Sequence, residues 1–159
     1  MKNFVVVGDQ RYGVHTGSTY QIARRFAAMD YRVAWISGSL SPFQVFGARD
    51  GEDRRARRAS WKRGGIGFAD GRIWSYTPFT LLPIGDKPFL RSAWVMAHSD
   101  RMTIPGLSKV MARNGFGRAD VLWLDSSRRA SALDRVPHGK SVFRLSEDIT
   151  LIPNAARGF

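Results

Sequence analysis

Near its C-terminus the chain reads KSVFRLSEDITLIP, in which an apolar run gives way to two adjacent acids, Glu147 and Asp148. Neighbouring carboxylates at the end of a buried strand carry the cost of desolvation and of mutual repulsion. Such a pair suits proton abstraction, one carboxylate taking the proton while the other tunes its affinity. Helix capping accounts for the pair equally well from local features, because carboxylates are favourable in a first helical turn. Against capping, Pro153 limits any helix that begins at Ile149 to about one turn.

A second candidate is the glycine-rich loop GDQRYGVHTG, which carries Asp9, Arg11, His15 and Thr16. Its glycines, Gly8, Gly13 and Gly17, do not have the G-x-G-x-x-G spacing of a dinucleotide cradle. The tripeptide Gly139-Lys140-Ser141 resembles the end of a P-loop, but Asp134 stands where the earlier glycine belongs, and the tripeptide precedes its expected strand. His15, His98 and His138 lack ligand-spaced partners, there is no cysteine, and no G-x-S-x-G nucleophile motif is present. These patterns give no basis for expecting a metal, a bound cofactor or hydrolase chemistry.

A third candidate is the run RRARRASWKR, six cations and one Trp in ten positions: Arg54, Arg55, Arg57, Arg58, Trp61, Lys62 and Arg63. A solvated face is the bland account of a charge run. The functional account is a patch for an anionic membrane, at about 1 kcal/mol per cation near the surface. Trp61, Trp74, Trp94 and Phe89 are then candidate aromatic anchors. Nucleic acid would exploit the same charge, but no RNP-type motif, zinc finger or clear recognition helix accompanies it, so it is the lesser expectation.

The elements that must position these residues follow from the hydrophobic pattern. Asn3 to Val7 and Tyr31 to Ser37 are continuous apolar runs expected as strands buried on both faces. Between them Ser18 is placed to cap a helix that carries Ile22, Phe26 and Met29 on one face, with Arg24 and Arg25 turned away. Strand, helix and strand make a βαβ unit and imply a parallel sheet. GSLSPFQVFG is expected as a loop with exposed aromatics. GIGFADGRIWSYTPF reads as a hairpin turning at Asp70-Gly71. Helices are expected at Phe89 to Ala97 and Leu107 to Arg113, the second ending at Asn114-Gly115. Ala119 to Asp125 is a further buried strand, Ser127 to Leu133 a short helix, and SVFRLS the last strand. The expected fold is one α/β, Rossmann-like domain over residues 1–159, with a mostly parallel sheet and flanking helices. Its crevice should lie beyond the carboxyl ends of the strands, on a rim of Gly8 to Arg11, Ser37-Gly38, Asp125-Ser126 and Ser146 to Asp148.

The totals bound what such a domain can do. The chain has 159 residues, a hydrophobic fraction of 43% and 25 Lys plus Arg against 13 acids. It is long enough for a proper core, and the net charge of +12 points to an anionic partner. No apolar stretch approaches the roughly 20 residues of a transmembrane helix, and the N-terminal apolar run is too short for a signal peptide, so a cytoplasmic protein is expected.

The order of these segments resembles the N-terminal domain of a GT-B glycosyltransferase. It is similar to the membrane-associated glucuronosyltransferases of xanthan-type exopolysaccharide synthesis (GumK-like). FVVVGDQRYGVHTGSTYQIARRFAAMDYRVAWIS looks like that family's first strand, acceptor loop, helix and second strand. IGFADGRIWSYTPFTLLP looks like its hairpin and Pro-aromatic segment, and ADVLWLDSS and KSVFRLSEDITLI like its last strands. The resemblance implies half of an inverting, metal-independent transferase that binds a lipid-linked oligosaccharide at the inner membrane face. The nucleotide-sugar donor would belong to a separate C-terminal domain or chain, so this half would be inactive alone. The family's catalytic base falls on Glu147, where the family has Asp, so the role lies with Glu147 or Asp148. Asp9, Arg11, His15, Thr16, Ser18 and Arg144 are the acceptor-side residues it implies, although the first loop is less basic here than in the family.

Overall fold

The computed structural model describes residues 1–14, 16–46, 51–82, 88–90 and 92–144. Six strands form one sheet: β1 (Asn3–Val7), β2 (Arg32–Ile36), β3 (Ile66–Phe68), β4 (Ile73–Tyr76), β5 (Ala119–Leu124) and β6 (His138–Phe143). Their spatial order is β3-β4-β2-β1-β5-β6, and every pairing is parallel except that of β3 with β4. The five parallel strands thus run outward in both directions from β1, as in a Rossmann-like sheet. The change of direction between β1 and β5 opens a crevice at their carboxyl ends.

Alternation along the strands builds two cores. Phe4, Val6, Val33, Trp35 and Ile73 face α1 (Ser18–Ala28), whose Ala23 and Ala27 are buried against them. Phe26 stacks on Phe4 at 3.9 Å between ring centroids. The buried stripe is Thr19, Ala23 and Ala27, not the expected Ile22, Phe26 and Met29. Small side chains let the helix lie close to the sheet; Ile22 and Phe26 flank the contact, and Met29, beyond the last turn, is exposed. Gly17, not Ser18, is the N-cap, and no side chain caps the first turn.

Val5, Val7, Ala34, Ile36, Leu122 and Leu124 face the opposite side, where α5 (Leu107–Arg113) supplies Leu107, Val110 and Met111. Two further helices are short, α2 (Pro42–Phe46) and α4 (Ala93–His98). α2 replaces the expected loop, and α4 is shorter than the expected Phe89 to Ala97. The segment Ser127–Asp134 is a kinked 3-10 helix.

The charge run is a helix, α3 (Glu52–Lys62). Glu52 and Asp53 lie in its first turn and Lys62 in its last, the favourable order against the helix dipole. It docks through Ser60, whose hydroxyl donates to the Ser75 carbonyl at 3.2 Å and accepts from the Thr77 amide at 3.1 Å.

β6 departs from expectation in both register and burial. It starts at His138, so Gly139-Lys140-Ser141 lies inside a strand, a further reason to reject a P-loop. Its residues from Gly139 to Phe143 are exposed, because β6 is the edge of the sheet among the described residues. Glu147 and Asp148 lie outside the described residues.

Candidate functional site

The loop after β1 is held in place by its aromatic residue. Tyr12 packs against Tyr20, Trp35 and Phe68, and burial, with a hydrogen bond to Tyr20, pushes its phenol up to about 12. The Trp35 Nε1 donates to the Gln10 carbonyl at 2.8 Å. The loop is therefore pinned to the α1 face and presents Asp9 at the crevice. Its floor depends on Gly38: the Gly38 amide donates to the Asp9 carbonyl at 3.2 Å, and a Cβ on residue 38 would stand 2.9 Å from that oxygen. Only glycine lets the β1 and β2 loops approach so closely.

Arg57 of α3 closes one wall. It donates to the Gly38 carbonyl at 2.9 Å and pairs with Asp53 one turn earlier at 2.7 Å. Asp53 also receives Arg11 at 2.8 Å. Burial by itself would raise the Asp53 pKa, but the hydrogen bonds from Arg11 and Arg57 outweigh it and hold the carboxyl below its ordinary value.

The other wall follows β5. Asp125 accepts from the Thr19 hydroxyl at 2.6 Å and pairs with Arg144 at 3.1 Å, while Arg144 also donates to the Thr19 hydroxyl at 2.8 Å. This triangle ties together the end of β5, the start of α1 and the end of β6. Ser126 donates to the Asp9 carboxylate at 2.8 Å. Arg129 is buried: its Nη2 lies 2.9 Å from Asp100 Oδ1, and its Nη1 reaches the Ser39 hydroxyl at 3.3 Å. Asp100 also accepts from Ser131 at 2.6 Å.

Asp9, Gly38, Ser39, Arg57, Ser99, Arg128 and Arg129 enclose a crevice of about 110 Å³. Three guanidinium groups and one carboxylate line it; Arg57 is paired with Asp53 and Arg129 with Asp100, which leaves Arg128 as the lining cation without an ion pair to a described residue.

Of the sequence-derived acceptor residues, Asp9 lines the crevice. Arg11 stands behind Arg57 through Asp53, and Arg144 is engaged with Asp125 on the rim. Thr16 and Ser18 are exposed at the start of α1, and His15 lies outside the described residues. The cationic run is divided by its helix. Arg57 turns into the crevice and Arg58 donates to the Gln44 carbonyl at 3.1 Å. Arg55, Lys62 and Arg63 are exposed, and Arg54 is half-buried. Trp61 stacks on Phe79 and donates to the Ile104 carbonyl, and Trp74 stacks on Tyr76 and Phe116. Both seal the core, which corrects their expected place as surface anchors. Phe89 and Trp94 are exposed, as are Phe43 and Phe46 of α2 at 74% and 82%.

Arg128, Arg129, Asp100 and Ser39 were not singled out in the sequence. The signal for the first two lies in DSSRRAS, where paired arginines follow an acid at the carboxyl end of a buried strand. Among the described residues no three His, Asp or Glu side chains converge to hold a metal ion, and no helix is long and apolar enough to cross a membrane. Compared with models of known protein families, with curated proteins and with solved structures, the chain matches none.

Proposed function

We propose that this chain is the acceptor-binding half of an inverting, metal-independent sugar transferase that acts on a lipid-linked oligosaccharide at an anionic membrane face. The observation that carries the reading is the convergence on one switch-point crevice of Asp9 after β1, Arg57 from α3 and Arg128-Arg129 after β5. Crevices at this place in a parallel sheet are where such folds bind ligands. Arg144, three residues before Glu147, is held on the same rim by Asp125.

In this reading Glu147 or Asp148 takes the proton of an acceptor hydroxyl. The resulting oxygen nucleophile attacks the anomeric carbon in line, and the nucleoside diphosphate leaves from a donor site supplied by another domain or chain. Membrane contact draws on the exposed Phe43 and Phe46 beside the cationic α3.

The test is sugar transfer in source-cell membranes carrying Glu147→Gln or Asp148→Asn. Loss of a general base lowers turnover by about 10²- to 10⁴-fold, so one of the two variants should fall in that range while its recovery with membranes is unchanged. Wild-type rates in both variants would remove the base assignment. Absence of any transfer by membranes that hold the unsubstituted protein together with its donor domain or chain would remove the reading itself.

A further inference from the structure

We infer that the crevice between the β1 and β5 loops is a phosphoryl-group site in which Arg128 donates to the oxygens, Arg57 and Arg129 stand beside it as fixed cations, and Asp9 accepts from an adjacent hydroxyl. The site stands on the geometry of the crevice and does not require the transferase reading.

The first ground is Arg129. Its side chain is 3% exposed, and its Nε and Nη2 are buried without a hydrogen bond to any described residue. Asp100 Oδ1 neutralises the charge from 2.9 Å, yet it too is without a hydrogen bond to any described residue, so the two groups are close but out of line. Both nitrogens are closed off from the crevice, so a ligand there meets a fixed guanidinium held through Nη1 by Ser37 and Ser39, a buried positive charge that a nearby anion offsets. The second ground is Arg128. It lines the same space, is half-buried, and makes no hydrogen bond or ion pair with any described residue. Guanidinium groups match tetrahedral oxyanions with paired donors, better than a point charge does.

Size and the Asp9 carboxylate narrow the ligand. A space of about 110 Å³ is well below the roughly 300 Å³ at which pockets begin to enclose drug-sized molecules. It takes a phosphoryl group and the hydroxyl-bearing carbons next to it. The Asp9 carboxylate, fixed by Ser126 at 2.8 Å, would repel a bare polyanion but accepts from a hydroxyl. The ligand class is therefore a phosphorylated sugar or polyol. A soluble sugar phosphate and the sugar–diphosphate headgroup of a lipid-linked saccharide share this chemistry.

The test is titration calorimetry of the whole chain at low salt with glucose 1-phosphate, inorganic pyrophosphate and glucose. Glucose 1-phosphate should bind saturably and more tightly than either of the others. Arg128→Gln should weaken it about tenfold or more, as loss of a charge-assisted hydrogen bond implies. Arg25→Gln, an exposed arginine on α1, should change it less than about twofold. Asp9→Asn should weaken glucose 1-phosphate and strengthen pyrophosphate. Arg128 is chosen because its removal leaves no described partner unsatisfied, whereas loss of Arg129 would strand Asp100. Absence of saturable binding, or equal losses in the Arg128 and Arg25 variants, overturns the site. A short-chain polyprenyl-diphosphate sugar should displace glucose 1-phosphate. Retained glucose 1-phosphate binding without that displacement keeps the site and overturns the lipid-linked acceptor instead.

Discussion

Asp53 shows how one exposed carboxylate can organise a site. It joins Arg11 of the first loop to Arg57 of α3, and Arg57 in turn holds the Gly38 carbonyl. Its pKa lies below the ordinary 3.8, so in the folded state it binds its proton less tightly than in the unfolded chain. Its contribution is therefore present above about 3.8 and is lost as the pH falls through the lower, folded value. The thermal midpoint of Asp53→Asn should lie below wild type by a constant margin from pH 7 to about 5, and the margin should close under more acid conditions. The margin should be modest and shrink with salt, because the carboxylate is 53% exposed. A gap that persists unchanged well below the ordinary carboxylate range would show that Asp53 acts by shape and not by charge.

At the level of elements, the β3–β4 hairpin carries a removable strain. The expected turn pair was Asp70-Gly71, but the two left-handed central residues are Ala69 and Asp70, at φ 49° and 54°, with Gly71 following at 81°. Asp tolerates this region and Ala does not. Ala69→Gly should therefore raise stability by about 0.5–1 kcal/mol in urea unfolding, without a change in the denaturant slope. A loss of stability would mean that chain entropy outweighs the strain at this turn.

The same elements show what could be read in advance. β1, β2, β5 and α5 were legible because continuous apolar runs and a Pro-Gly to Asn-Gly frame leave little choice. α3 was not, since the residues that dock it, among them Arg57, Ser60 and Trp61, lie within a run of charge. β6 misled because its apolar residues, Val142 and Phe143, lie exposed, 38% and 49% accessible, on what is the edge strand among the described residues. In the crevice, Asp9 was legible from its place after β1. The inward turn of Arg57 was not, because it depends on the helix phase and on the Gly38 carbonyl.

Taken whole, the molecule separates two uses of its positive charge. Part is drawn inward, where Arg57, Arg128 and Arg129 surround a crevice with Asp9. Part stays outside on α3, beside exposed aromatics on α2, where an anionic surface could be met. An acceptor presented by a membrane would engage both together, so binding should exceed what charge alone supplies. Flotation of the chain with anionic vesicles, with and without a polyprenyl-diphosphate-linked oligosaccharide at matched surface charge, measures that difference directly. The account predicts recovery that rises about tenfold in apparent affinity with the acceptor and falls when Phe43 and Phe46 are both replaced by Asp. Equal recovery with and without the acceptor would contradict it, leaving a basic domain that adsorbs to anionic surfaces.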